Sequence, residues 1–135
     1  LQIVSNDIAE SNTLAETLSG SLAGMDIVAV ATPDETNEKA QNFIKSFNLA
    51  FGLPLQNTSN PALAFDATNI LLQVIKEVGT EGAKIKDALY MLKEYEGVMG
   101  TISFDDNGDV EGVDYGVKHW EGNTVVQTER IKVGR

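Results

Sequence analysis

Carboxylates are the most abundant chemically capable groups in this chain, and their spacing decides what they could do. The densest run is Asp105-Asp106-Asn107-Gly108-Asp109, which has the composition of a calcium loop. An EF-hand loop counted from Asp105 needs glycine at its sixth position and a bidentate glutamate at its twelfth. Val110 and Gly116 stand there instead, so the run reads as a hairpin turn. Glu94 with Glu96, and Asp105 with Asp106, are close carboxylate pairs. Acid–base work on a glycoside needs two such groups facing across a cleft, and neighbours on one solvated segment do not supply that. His119 is the only histidine and cysteine is absent. Catalytic triads, multi-histidine metal sites, zinc thiolates and thiol nucleophiles therefore lack material. No metal, no cofactor and no enzymatic chemistry is expected.

The charge balance excludes further classes. Twenty acidic residues against 10 basic ones give a net charge of −10. Phosphate recognition needs clustered Lys and Arg, and none cluster here, so nucleic acid and anionic membrane are poor partners. Apolar residues at 42% and charged residues at 22% are ordinary for a folded globular domain, and 135 residues suffice for one domain with a core. Apolar runs such as Ile27 to Ala31 fall far short of the ~20 residues of a membrane helix. Leu1-Gln2-Ile3-Val4 read as a strand already in progress with no basic and apolar leader before them. The expectation is a chain that starts downstream of any signal segment. Asn57-Thr58-Ser59 fits a glycosylation sequon, a pattern short enough to recur by chance.

The elements that would position these groups follow from hydrophobic period. Leu14 and Leu18, four apart, predict a helix over Ala9 to Ser21, weakened by Gly20 and Gly24. Met25 to Ala31 reads as a buried parallel strand, broken by Thr32-Pro33-Asp34. A helix from about Glu35 to Phe51 carries Phe43, Phe47, Leu49 and Phe51 on its apolar side and stops at Gly52. Leu53 to Ser59 reads as loop. Asn60-Pro61 is a helix start, with Asn as cap. From Pro61 to Val78 the residues Leu63, Phe65, Ala67, Ile70, Leu71, Val74, Ile75 and Val78 give a wide apolar face, ended by Gly79. Thr80 caps a helix over Glu81 to Glu94. Beyond Gly97 the period changes to strands at Gly100 to Phe104, Val113 to Trp120 and Thr124 to Val133, the last two joined by Glu121-Gly122-Asn123. Aromatics on helical faces read as core, and His119 as a surface residue. Three helices with broad apolar stripes have too little sheet to bury them, so the chain looks incomplete as a domain.

Several segments resemble the branched-chain amino acid (Leu/Ile/Val)-binding type of periplasmic solute-binding protein. Ala64-Phe65-Asp66-Ala67 is similar to that family's A-Y-D-A helix. Glu96-Gly97-Val98-Met99-Gly100-Thr101-Ile102-Ser103-Phe104-Asp105-Asp106-Asn107-Gly108-Asp109 resembles its E-G-V-x-G-x-x-x-F-D-x-x-G-D segment. Tyr115-Gly116-Val117 and Trp120-Glu121-Gly122-Asn123 resemble its final strands and turn. Ala23-Gly24 through Thr32-Pro33 stand where the family has a crossing between lobes.

The resemblance implies an α/β fold: the C-terminal portion of a two-lobe type I periplasmic-binding-protein fold with three-layer α/β/α lobes. Residues 1–31 and 113–135 would belong to the second lobe, and the mostly helical 32–112 to the first. The implied function is the solute-binding component of an ABC importer, in the periplasm or outside the cell, secreted or lipid-anchored. It would bind a small amino acid or related polar metabolite by closing its lobes and deliver it to a membrane permease. Asp7 matches the position of the carboxylate that pairs with the ligand's ammonium group; read from the residues alone, it caps the helix starting near Ile8 or Ala9. Asn60 falls near a position where relatives carry an aromatic over the ligand, and otherwise reads as the helix cap. Hinge candidates are Thr32, Pro33, Asp34, Gly108 and Gly112. The alternatives are a ligand-sensing domain of a receptor or regulator, or a structural fragment whose apolar helix faces pair with a second copy as a homo-oligomer.

Overall fold

The computed structural model describes residues 3–18, 21–52, 59–122 and 124–133. The strand start at Leu1 and Gln2, Gly20, the loop over 53–58 with sequon residues Asn57 and Thr58, and the turn residue Asn123 lie outside the described residues. The chain divides into two compact units. One comprises Leu1–Thr32 and Asp114–Val133, and the other Pro33–Val113.

The first unit is a sheet with one face covered. Strands β1 (Val4–Ser5), β2 (Asp26–Val30), β6 (Tyr115–Glu121) and β7 (Thr124–Ile131) lie in that spatial order. β1 is parallel to β2, whereas β2–β6 and β6–β7 are antiparallel. The dense apolar run at β2 is a strand parallel to β1, as expected, but its other neighbour runs antiparallel and the described residues cover one of its faces. Its alternation leaves Ile27 and Ala29 buried while Val28 is exposed, as expected where an antiparallel partner leaves one face open. The segment read as one helix from Ala9 to Ser21 is a 3₁₀ turn, Asp7–Glu10, followed by α1, Asn12–Leu18. Ala9, Ala15 and Leu22 from this region pack on Ile27, Ala29 and Trp120 to make the core. Trp120 is sealed in that core, and its Nε1–H donates to the Ala9 carbonyl at 3.0 Å, which satisfies its one polar atom.

Lys118 shares that buried face. Its register partner on β2 is Ile27, and its ammonium meets Glu10 at 2.8 Å with both side chains out of solvent. A buried ammonium is tolerable only with such an anion opposite. The hairpin β6–β7 matches expectation, with an irregularity between Val117 and Lys118.

In the second unit, α2 (Glu38–Phe51), α3 (Ser59–Val78) and α4 (Gly82–Met91) precede a small antiparallel sheet. Its strands are β3 (Tyr95–Glu96), β4 (Thr101–Phe104) and β5 (Val110–Glu111), with β4 central. α2 begins later than Glu35 because the Asp34 carboxylate accepts from the Thr36 N–H and hydroxyl, at 2.9 and 2.7 Å, and closes a turn. Asn37 then caps the helix through the Lys39 N–H at 2.8 Å. Asn60 is not a cap, since α3 already runs from Ser59. Thr80 is not one either: the residue before α4 is Glu81, which makes no side-chain cap bond. α4 stops at Met91 rather than Glu94, because the chain turns to pair with β4; Glu94 has φ 54° and its N–H donates to Ser103 Oγ at 2.9 Å.

The buried stripe of α3 is narrower than its apolar residues suggest. Ala62, Asp66, Ile70 and Val74, four apart, are buried, whereas Phe65, Leu71 and Leu72 are exposed. On α2 only Ala40 and Phe43 are buried, while Leu49 and Phe51 face outward. Val98, Met99 and Ile102 are also buried in this unit.

Candidate functional site

In open α/β sheets, ligands are held by loops at the carboxyl ends of parallel strands. In the first unit that edge is where β1 ends at Ser5 and β2 at Val30. Asp7 follows β1 after a single residue, Asn6, and is exposed there. It is not the cap of its own turn, because Asn6 has that role: its side-chain oxygen accepts from the Ile8 N–H at 3.3 Å. The Asp7 carboxylate is thereby left to meet solvent or a cation. The sequence puts Asp7 after the first strand, where it stands, and its alternative reading as a cap fails because Asn6 takes that duty.

The same edge holds the chain's passage into the second unit and its return. Thr32 ends one stretch of the first unit and Asp114 begins the next. The two stretches are joined there by the Ala31 N–H donating to the Asp114 carbonyl at 2.9 Å. Of the hinge candidates, Thr32 and Pro33 flank the first passage and Gly112 lies just before the second. Asp34 closes the turn before α2. Gly108 sits elsewhere, in the β4–β5 turn, with φ 88° and its N–H donated to the Asp105 carbonyl at 3.1 Å.

Within the second unit, the acidic run forms the expected hairpin turn. Asp105 accepts from the Asn107 and Asp109 backbone N–H groups, each at 2.8 Å. These bonds, that of Asp109 foremost, hold its carboxyl below the usual carboxylate range. Asn60 is exposed on the first turn of α3. Among the described residues no group of three or more His, Asp or Glu is placed to hold a metal ion. His119 is half-buried, not fully on the surface, with Nε2 2.9 Å from Glu121.

An open groove of about 640 Å³ lies among α2, α3 and β3, lined by Phe43, Phe47, Phe51 and Phe65 together with Asp66, Tyr95 and Gly97. Rings meet at a tilt along it, Phe43 with Phe65 at 5.0 Å and Phe47 with Phe51 at 4.5 Å between centroids. Lys39 donates to the Glu96 carbonyl at its edge. Burial, and next the Asp66 charge, push the Tyr95 hydroxyl up from its ordinary value.

Asp66 was read only as part of a sequence pattern, yet it organises the loop after β3. Its carboxylate accepts the Val98 and Met99 N–H groups at 2.9 and 2.8 Å. A Cβ on Gly97 would stand 2.5 Å from the same carboxylate, so only glycine admits it. The signal was available: a charged residue in the middle of the four-residue series Ala62, Ile70, Val74 must find partners inside. Lys118 carries the same signal, a cation at the buried parity of β6.

A family model described as periplasmic binding protein matches residues 1–115. The chain belongs to this family. No curated protein matches it. Solved structures of similar fold include a leucine binding protein from Thermotoga maritima, 23% identical over 96% of this chain and 37% of that one, with a TM-score of 0.82. An ABC transporter substrate-binding protein from Desulfitobacterium hafniense, in complex with Leu, is 22% identical over 95% of this chain and 36% of that one, with a TM-score of 0.73. A solute-binding protein of an R. palustris ABC transporter, in complex with benzoate, is 18% identical over 90% and 34%, with a TM-score of 0.67. The chain thus spans little more than a third of the length of these proteins, and its α/β arrangement is a portion of the type I periplasmic-binding fold. Among the described residues no helix is long and apolar enough to cross a membrane.

Proposed function

We propose that this chain forms the C-terminal part of the solute-binding component of an ABC importer, which captures a small amino acid or related polar metabolite by closing two lobes. The observation that carries the reading is an exposed carboxylate, Asp7, at the carboxyl edge of the β1–β2 pair in a chain whose family is one of binding proteins. An ammonium group leaving water needs a fixed anion beside it, and Asp7 supplies one. Asn60 contributes a polar contact from the other lobe. The division of the chain at Thr32 and Asp114 supports assigning 1–31 and 113–135 to one lobe and 32–112 to the other, with Pro33, Asp34 and Gly112 as hinge candidates. Gly108, inside the β4–β5 turn, and Thr32, bonded at both its N–H and its carbonyl, are set aside. Capture is non-covalent and no catalytic step is involved. The protein works outside the cytoplasm, in the periplasm or held at the membrane by a lipid anchor, and hands its ligand to a permease.

A thermal-shift screen of the full-length protein against the common amino acids tests this. A ligand at 100 times its Kd stabilises by about 2.7 kcal/mol, an unmistakable rise in melting temperature. Absence of a shift with every amino acid contradicts the ligand class. The benzoate-bound neighbour favours a second reading, a carboxylate ligand without an ammonium group, so benzoate belongs in the screen.

The 135-residue chain alone also self-associates, on our reading, through the outward aromatic and aliphatic side chains of α2. Leu49 is 84% and Phe51 65% exposed, and an apolar patch of that kind favours a partner surface.

A further inference from the structure

Both passages between the units are held from one strand, β7. Arg130 donates through Nη1 to the Asp114 carboxylate at 3.3 Å and through Nη2 to the Thr32 carbonyl. Three residues earlier, Gln127 accepts through Oε1 from the Thr32 N–H at 2.8 Å and stands 3.4 Å from its hydroxyl. Thr32 therefore has its N–H and its carbonyl both bound by β7 side chains, at the last residue before the chain leaves the unit. Asp114, the first residue on its return, is bound by the same guanidinium.

Gly116 makes this possible. It lies on β6, opposite Arg130 of β7 and Ala29 of β2. A Cβ there would stand 2.4 Å from Gln127 Oε1 and 3.3 Å from the Ala31 Cα. The Gln127 side chain crosses over β6 through the space that a side chain at 116 would fill. Gly116 has no positive φ, so clearance for this crossing, and not backbone conformation, is what glycine provides.

We propose that Arg130, Gln127 and Gly116 form a brace that fixes the direction in which both chain passages leave the first unit, and so limits the spread of arrangements the two lobes sample. They are positioning residues, not ligand contacts. A planar guanidinium with two divergent donors can hold a carboxylate and a carbonyl at once, which a lysine cannot. Freezing two connections at their roots leaves bending to the residues beyond them, Pro33 and Val113, and keeps the open ensemble narrow. A narrow ensemble matters because apparent affinity falls with the fraction of molecules in the binding-competent arrangement. The proposal rests on the two-lobe closure reading.

These 135 residues contain no cysteine, so paired labels can be placed selectively in the full-length protein once any cysteine outside them is replaced by serine. Nitroxide labels at Glu16→Cys on α1 and Lys76→Cys on α3, both exposed, report the distribution of distances between the units by pulsed electron resonance. The distribution is expected to broaden in Arg130→Ala, to broaden less in Arg130→Lys, and to broaden in Gly116→Ala and Gln127→Ala, with far-UV circular dichroism unchanged. Gly116→Ala tests the brace without touching either polar residue. Wild-type distributions in variants that remain folded would overturn the proposal. So would loss of the folded signal in all of them, which would make the brace a folding element alone. No ligand is needed, so failure of the amino-acid reading in the thermal-shift screen leaves this outcome decisive by itself.

Discussion

At the scale of single residues, two acidic side chains show how the same group takes different duties. Asp105 lies in a solvated turn that its sequence context announces, and its carboxylate is satisfied by the backbone of its own loop. Its folded pKa is lowered. The turn therefore gains from its ionisation above the ordinary carboxylate pKa of about 4, and the gain is lost as pH falls through the lower folded value. The Asn107 and Asp109 amide resonances should titrate together in acid, and Asp105→Asn should abolish that titration. Asp66 is the opposite case, a buried carboxylate 32 residues from the amide it binds at Val98, a separation no local pattern reports. Asp66→Ala strands two buried N–H groups and should cost at least about 2 kcal/mol in a denaturant melt. Gly97→Ala should also destabilise, because its Cβ displaces that carboxylate. Capping was legible only to within a residue. Asn6 and Asp7 are both good caps, as are Ser59 and Asn60 helix starters, and choosing between such neighbours depends on backbone angles that composition does not contain.

The elements were legible wherever a strong period coincided with burial. Residues 61–78, the strand near 101–104 and the last hairpin were all expected, and their ends move by only a few positions. Failures occur where tertiary pairing overrides local preference. β3 and the early end of α4 exist because β4 offers a ladder, and β2 takes in β6 an antiparallel neighbour that its apolar run does not announce. β6 forms as expected, but its alternation does not announce that Lys118 faces inward. With Glu10 opposite it at 2.8 Å, Lys118→Met leaves a carboxylate buried without that ammonium and should cost about 3–5 kcal/mol. Adding Glu10→Leu should recover most of the loss, because an apolar pair of similar volume is often as stable as a buried ion pair. Chemical melts of the single and double variants check this, and additive losses would contradict it.

For the whole molecule, the shortage of sheet beneath the helices was the most informative sequence feature. α2 and α3 do carry apolar side chains that the described residues leave uncovered, and the chain spans little more than a third of the related solved structures. Light scattering of the 135-residue chain should report association, reduced by Leu49→Ser with Phe51→Ser; a strictly monomeric, folded chain would contradict the proposed apolar contact. The site was less legible than the fold. Asp7 stands after the first strand as the sequence suggests, its proposed role carried by the family resemblance, but the brace on Thr32 joins residues nearly a hundred positions apart and surfaces only in three dimensions. The central claim is that Asp7 supplies the anion for a ligand's ammonium group. Calorimetric titration of the full-length protein, wild type and Asp7→Ala, against a panel of amino acids tests it most directly. One amino acid should bind the wild type, and the substitution should weaken it by more than about 2 kcal/mol, roughly thirtyfold. Equal affinity in the two proteins, or binding of benzoate and no amino acid, would contradict it.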